Sequence, residues 1–156
     1  MEASVARHPR AIRLQTVVKL AERDERQALA NLGQAQQKLQ AEQEQKQQLS
    51  DYANDYQQQL SGGHGGQLSA AQLHTTVGFL RQIEQALKQQ QEQIVLLQKQ
   101  VEHERGIWQQ CQAKLKALHH LLDKLDQEYD EQQQRLEQHQ ADEWSNRAAF
   151  DRLKSR

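Results

Sequence analysis

The sequence predicts an all-α fold: a two-helix antiparallel coiled-coil hairpin with a Gly-rich loop and a longer second helix. Three observations predict it. The composition suits long exposed helices, one segment alone is dense in glycine, and apolar residues recur at heptad spacing on both sides of that segment. We expect residues 1–156 to form one coiled-coil hairpin domain, with a helix over about 10–60, a loop over 61–68 and a helix over about 69–153.

The composition excludes an ordinary compact globule. Only 36% of the residues are hydrophobic and 4% are aromatic, and the mean hydropathy is -1.03. A sphere of this length would bury far more apolar surface. Good helix formers dominate, and the single proline, Pro9, lies near the start of the chain. Long exposed helices therefore explain the composition better than a globular core.

Charge and cysteine usage narrow the class of protein further. The net charge of -1 gives no nucleic-acid-binding signature. The single cysteine, Cys111, has no internal disulfide partner, which suits a reducing compartment. The sequence has neither an apolar run long enough to cross a membrane nor a secretory signal. We therefore expect a cytoplasmic protein without direct membrane insertion.

Helix boundaries are marked by a few residues. The segment from Ser61 to Gly66 contains four glycines and must interrupt any helix. Ser69, followed three residues later by Gln72, has the pattern of a capping box that opens a second helix. Pro9 suits the first turn of the first helix.

Apolar residues at positions a and d of successive heptads predict the seam between the helices. In the first helix the a series runs from Val18 to Leu60, and the d series runs from Ala21 to Tyr56. In the second helix the a series starts at Leu80, and the d series starts at Ile83 and is apolar up to Leu125 with few exceptions. The exceptions on these seams are Glu25, Glu42, Lys46, Gln90 and Glu104.

A register for the hairpin follows from matching small residues to large ones. It places every a residue opposite a d residue and opposes Leu49 to Leu80, and Leu32 to Leu97. In this register the segment from about Tyr129 to the C-terminus has no partner within the hairpin. Its apolar residues would then be exposed and would mark a contact surface. They are Tyr129, Leu136, Trp144, Phe150 and Leu153.

The charges are distributed unevenly. Residues 1–20 carry four basic groups against Glu2, and residues 145–156 carry four against Asp151. Residues 126–143 carry seven acids against Arg135. The hairpin therefore has basic extremities, an acidic stretch and a nearly neutral Gln-rich remainder.

No catalytic or metal-binding constellation is predicted. His119 and His120 are adjacent, so on a helix their side chains point about 100° apart and do not converge on one ion. Cys111 falls at a d position, where a small buried side chain is expected. No phosphate-binding loop or catalytic triad is present. We expect a protein that binds other proteins, without enzymatic activity, cofactor or metal.

The order of several segments resembles the bacterial flagellar export protein FliJ family. A basic N-terminal stretch precedes a helix that ends in the sequence from Asp51 to Tyr56, and a Gly-rich break follows. Then come the segment from Phe79 to Ala86, a tryptophan at Trp108, and the segment from Asp142 to Ala149. The resemblance covers nearly the whole chain, and the combined order and spacing carry it.

The resemblance implies a component of the flagellar type III export apparatus that is similar to the central stalk of rotary ATPases. Its implied partners are the hexameric export ATPase FliI, the export-gate protein FlhA and the export chaperones, with a location at the inner face of the cell membrane at the flagellar base. By matching position, the gate-binding residues are Leu49, Tyr52, Tyr56, Phe79, Ile83 and Ala86. The family's histidine in that patch is Gln90 here. The ATPase-binding residues are Arg10, Arg13, Trp144, Arg147, Phe150 and Arg152.

Three other functions are compatible with parts of the sequence. The first is the equivalent stalk protein of a virulence-type secretion system. The second is a structural coiled coil that acts as a spacer or generic adaptor, which the poor d series after Leu125 disfavours. The third is a nucleic-acid-binding hairpin that uses Arg7, Arg10 and Arg13, which the acidic stretch at 126–143 disfavours.

Overall fold

The structure, a computed structural model, describes residues 8–62 and 69–155. Helix α1 spans Pro9–Leu60 and helix α2 spans Ala70–Lys154, and the described residues contain no strand. Contacts between the two helices run antiparallel. The predicted all-α hairpin with a longer second helix is therefore confirmed. Most of the predicted loop, residues 63–68, lies outside the described residues, as does Arg7.

The N-terminus of α1 is capped by a histidine. Pro9 is the first helical residue, as its fixed φ and missing N–H predict. The backbone N–H of Arg10 donates to His8 Nδ1 at 3.0 Å, and that of Ile12 donates to the His8 carbonyl at 3.0 Å. The first bond satisfies one of the N–H groups that a helix start leaves without partners, and the second is the first i→i−4 bond of the helix.

Local hydrogen bonds cap the C-terminus of α1 and the N-terminus of α2. At the end of α1, the Ser61 hydroxyl donates to the Gln58 carbonyl at 3.1 Å, and Gly62 takes a left-handed φ of 80°. At the start of α2, the Gln72 N–H donates to Ser69 Oγ, and the Ser69 N–H donates to Gln72 Oε1, both at 3.1 Å. The predicted capping box is thus confirmed.

The chain divides into two compact units. The central unit is Arg26–Gln109, and the terminal unit combines Met1–Glu25 with Gln110–Arg156. The core of the central unit is a cluster of Leu32, Ala35 and Val101, against which Leu39 and Trp108 pack. Every predicted a and d position of this unit, from Ala28 to Leu60 and from Leu80 to Trp108, is buried or half-buried. The heptad assignment is therefore right for the central unit.

The register predicted from small-to-large matching is wrong by about one heptad. It would oppose Lys46 to Ile83, but Lys46 Nζ donates to Gln91 Oε1. Gln90 Nε2 donates to Glu42 Oε2 at 3.3 Å. The observed register therefore gives the polar seam residues Glu42, Lys46 and Gln90 polar partners on the other helix. In the predicted register each would have faced a leucine or an isoleucine, and a polar group buried without a partner is costly.

The terminal unit has a seam of its own between the two helices. Ala11, Val18 and Ala21 are buried on α1, while the a and d residues of α2 from Cys111 to Tyr129 are half-buried. Glu22 Oε1 and His119 Nε2 lie 3.6 Å apart across the two helices. The rings of His8 and Tyr129 meet edge to face, with centroids 6.1 Å apart. The predicted register had left Tyr129 exposed. In the structure Tyr129 is half-buried, because His8 at the start of α1 packs against it.

Candidate interaction surfaces

Six predicted gate-binding residues form one surface in the central unit, which we call the aromatic surface. They are Leu49, Tyr52, Tyr56, Phe79, Ile83 and Ala86. All six occupy d or g positions, so they lie on one flank of the seam. The structure thus brings the six together from both helices.

The centre of the aromatic surface is a ring pair. Tyr56 and Phe79 stack at 6.2 Å between centroids. A shallow cleft beside them is lined by Tyr56, Phe79, Ala71, Gln72, Thr75 and Thr76. The Thr75 and Thr76 hydroxyls donate to the carbonyls of Ala71 and Gln72 at 3.0 and 2.8 Å. Because these hydroxyls are already bonded, the cleft is better suited to an apolar side chain than to a polar one.

Accessibility differs within the aromatic surface. Tyr52 is 60% exposed and Phe79 is 49% exposed, whereas Leu49, Ile83 and Ala86 are half-buried. Tyr52 has its side chain free for a partner. Tyr56 and Ile83 lie on the seam and also hold the helices together.

Gln90, which the family resemblance associated with this patch, belongs to the seam and not to this surface. Only 8% of Gln90 is exposed, and its amide nitrogen is bonded to Glu42. Its Oε1 atom is buried and has no hydrogen-bond partner. Position 90 therefore contributes a polar layer between the helices. The heptad pattern marked Gln90 as a polar exception in the d series, which is the signal for this layer.

The second predicted surface is the end of α2. From Asp130 to Ser155 every residue is exposed except Ala148, which is half-buried. Trp144 is 74% exposed, and Phe150 and Leu153 are also well exposed. We call residues 130–155 the tail. Its exposed aromatic side chains agree with the prediction of a segment without a partner in the hairpin.

Local contacts hold the tail side chains without burying them. Lys154 Nζ lies 5.1 Å from the centroid of the Phe150 ring, a cation–π distance. His139 Nε2 lies 3.3 Å from Glu143 Oε1, one turn further along the helix. Trp144 and Phe150 are six residues apart and therefore point about 120° apart around the helix. The tail consequently offers apolar groups on more than one side.

The six predicted ATPase-binding residues are not all brought together. Trp144, Arg147, Phe150 and Arg152 lie on the tail, exposed. Arg10 and Arg13 lie near the start of α1, where His8 meets Tyr129. Trp144 follows Tyr129 by 15 residues, which is about 22 Å of helix. The arginines of α1 and the tail are therefore separate groups in the terminal unit.

The side chains considered for catalysis have ordinary surroundings. Cys111 is half-buried beside a groove that is also lined by Ala21, Asp24, Gln110 and Lys114. Within residues 8–62 and 69–155, no three His, Cys, Asp or Glu side chains group in a way that could hold a metal ion. In the same residues, neither helix has an apolar stretch sufficient to cross a membrane.

Comparison with known proteins gives one match. The sequence model of the family described as "Flagellar FliJ protein" matches residues 10–154, which include nearly all of both helices. Searches of the curated proteins and of the solved structures found no match.

Proposed function

This chain belongs to the flagellar FliJ family, and on that premise we propose that it acts as a stalk-like activator of the hexameric export ATPase FliI. In this proposal it also contacts the export-gate protein FlhA and assists the recycling of export chaperones during flagellum assembly. Membership of the family makes it a flagellar export-related coiled-coil protein. The individual partners are the proposed part.

The observation that carries the proposal is the tail. A helix of about 25 residues, in which every described residue except Ala148 is exposed, presents Trp144, Phe150 and Leu153 to solvent. Large apolar side chains of this kind are enriched at the centres of protein interfaces. Basic residues beside them, Arg147 and Arg152, supply charge for an acidic surface. We assign this end to the ATPase.

The aromatic surface is the proposed contact for the export gate. Its exposed Tyr52 and the cleft beside Phe79 offer an apolar binding site with satisfied polar groups. It lies in the central unit, whereas the tail lies in the terminal unit. Two contact surfaces in different units allow one chain to bind two partners at the same time. Through these partners the protein is held at the inner face of the membrane at the flagellar base.

The protein itself performs no chemistry in this proposal. Nucleotide hydrolysis belongs to the ATPase, and the chain contributes binding energy and positioning. Cys111 has a structural role at the seam. His119 and His120, which are neighbours in the sequence, are exposed to solvent. No cofactor or metal is required.

The deciding experiment measures ATP hydrolysis by the same organism's export ATPase with and without this protein, at matched salt. We expect stimulation that saturates well below one protein per ATPase subunit, as a single stalk per hexameric ring requires. Trp144→Ala with Phe150→Ala should abolish most of it. The matched control is Leu96→Ala with Leu29→Ala, which removes exposed apolar residues from the central unit. No stimulation by the intact, helical protein would leave only a generic coiled-coil adaptor.

A further inference from the structure

A face of the terminal unit has features that neither the tail nor the aromatic surface explains. The groove beside Cys111 is lined by Asp24 of α1 and by Gln110 and Lys114 of α2. These residues of the two helices therefore flank the seam on the same side. Side chains seven residues away from them lie on that same side, because the heptad repeat of a coiled coil returns to one face.

Following that side along both helices reveals exposed apolar residues. Val17 lies seven residues before Asp24, and Leu20 lies one turn before it. Leu121 lies seven residues after Lys114. Leu20 is 57% exposed, and Val17 and Leu121 are each almost half exposed. An apolar strip thus lies on both sides of the groove between α1 and α2.

Basic residues surround this strip. Lys114, Lys124 and Arg13 lie on the same side of the unit, and all three are exposed. Asp24, Glu128 and Glu131 are the acids on this side. We call it the basic–apolar face, and it consists of Arg13, Val17, Leu20, Lys114, Leu121 and Lys124.

We propose that the basic–apolar face binds an acidic amphipathic α-helix of a partner protein. The groove between two packed helices is the natural seat for a third helix, whose apolar stripe would meet Val17, Leu20 and Leu121. Carboxylates beside that stripe would pair with Lys114, Lys124 and Arg13. From Arg13 to Asp24 the face is about 17 Å long, or three helical turns. Apart from Arg13, which also stands among the predicted ATPase-binding residues, this face shares no residue with the surfaces proposed for the ATPase and the gate.

The chain's own tail does not fit this description. The acids of the tail and its flank lie within 126–143, but two of its apolar residues, Phe150 and Leu153, lie among Arg147, Arg152 and Lys154. A second copy would therefore set basic residues against the basic face. An anionic membrane is also disfavoured, because Asp24 and Glu128 lie on the face and three apolar side chains give little area for insertion.

The test uses full-length protein and a fluorescently labelled peptide of about 20 residues. The peptide is a helix with leucines in one stripe and glutamates on both sides of it, and its counterpart has lysines in place of the glutamates. We expect the glutamate peptide to bind, as measured by fluorescence anisotropy, and the lysine peptide to bind at least about tenfold more weakly. Equal binding of the two peptides would overturn the proposal.

Substitutions test whether the glutamate peptide binds at the basic–apolar face. Leu20→Asp with Leu121→Asp should weaken binding of the glutamate peptide at least about tenfold, as should Lys114→Glu with Lys124→Glu. The matched controls are Leu29→Asp, exposed in the central unit, and Lys19→Glu with Lys116→Glu, exposed elsewhere in the terminal unit. Circular dichroism checks that each variant is helical. Equal loss in the controls would contradict the assigned face.

Two further measurements distinguish other occupants. Sedimentation velocity reports whether the protein forms a dimer that Leu20→Asp with Leu121→Asp dissociates, which would replace the proposed partner by a second copy. Flotation with vesicles of phosphatidylglycerol and phosphatidylethanolamine reports membrane binding. Vesicle binding lost in the same variant, without peptide binding, would assign the face to the membrane and overturn the proposal.

Discussion

The Tyr56 and Phe79 rings stack across the two helices of the central unit, with their planes only 14° from parallel. One ring comes from near the end of α1 and the other from the first turns of α2. The pair therefore stabilises the hairpin near its turn and also lines the cleft proposed for the export gate. Stability and binding can be separated here because Tyr52, beside the pair, has no such packing role.

Tyr52→Ala should leave the fold intact and weaken gate binding. Its side chain is largely exposed, so the free energy of unfolding should change by less than about 0.5 kcal/mol. Phe79→Ala should lower it by about 1 kcal/mol, because the ring stack is lost. Urea unfolding measures both, and titration with the cytoplasmic part of FlhA measures binding. Unchanged gate binding in Tyr52→Ala with Phe79→Ala would remove the aromatic surface as the gate contact.

Gly33→Ala and Gly106→Ala should each stabilise the protein by about 1 kcal/mol, because alanine has the higher helix propensity. A Cβ atom at either position would have nothing within 4 Å, so the added methyl group meets no obstacle. Neither glycine is required by a close contact. The measurement is urea unfolding followed by circular dichroism.

Gly62→Ala is the matched comparison and should have the opposite sign. Gly62 also has open space around a Cβ atom, but its φ of 80° is unfavourable for alanine. We expect a loss of about 1 kcal/mol. A gain at Gly62, or a loss at Gly33 and Gly106, would contradict this account.

Gln90→Leu should stabilise the hairpin and allow a second register to be populated. The change removes a buried Oε1 atom without a partner and leaves Glu42 half-exposed, so we expect a gain of about 1 kcal/mol. A polar layer in a seam fixes register at a cost in stability. Spin labels at the exposed positions 41 and 98, with Cys111→Ala as background, report the distance between the helices. A second distance, displaced by one heptad or about 10 Å along the axis, should appear in Gln90→Leu.

Gln91→Leu serves as the control for that measurement, since Gln91 accepts a hydrogen bond from Lys46 but is exposed. It should keep a single distance. A single distance in Gln90→Leu as well would mean that apolar packing alone sets the register.

Removal of residues 141–156 should weaken ATPase stimulation without changing the urea midpoint of unfolding. The described residues of the removed segment are exposed, apart from the half-buried Ala148, so their removal takes away little buried surface. In a Trp108→Phe background the remaining fluorescence comes from Trp144, because the chain has two tryptophans. Its emission should shift to shorter wavelength when the ATPase is added. Stimulation that survives the truncation would separate the tail from the ATPase contact.

The heptad pattern predicted which residues face the seam, but it could not predict the register. Apolar spacing repeats every seven residues, so a shift by one heptad again opposes a to d residues. The choice depends on polar side chains: in the observed register Gln90 reaches Glu42, and Lys46 reaches Gln91. The prediction matched alanines to large residues and did not take these polar side chains into account. For the same reason Tyr129 was expected to be exposed, although His8 packs against it.

The candidate surfaces were predictable to different degrees. The tail follows from unequal helix lengths and from apolar residues that continue beyond the end of the paired seam. The aromatic surface rests on the family resemblance, and its d and g positions are visible in the sequence. The basic–apolar face was missed because Val17, Leu20 and Leu121 are isolated in the sequence. They form one face only when α1 and α2 are placed side by side.

The 33-residue difference in length between α1 and α2 has a thermodynamic consequence. Beyond Tyr129 the helix is held mainly by its own backbone hydrogen bonds, and it lacks most of the tertiary packing from which protein helices gain their stability. Its amide hydrogens should exchange with solvent far faster than those of the seam. Any partner that binds the tail also shifts this helix–coil equilibrium, so its affinity includes the free energy of ordering the segment. Temperature and the helix propensity of residues that touch no partner then become determinants of binding.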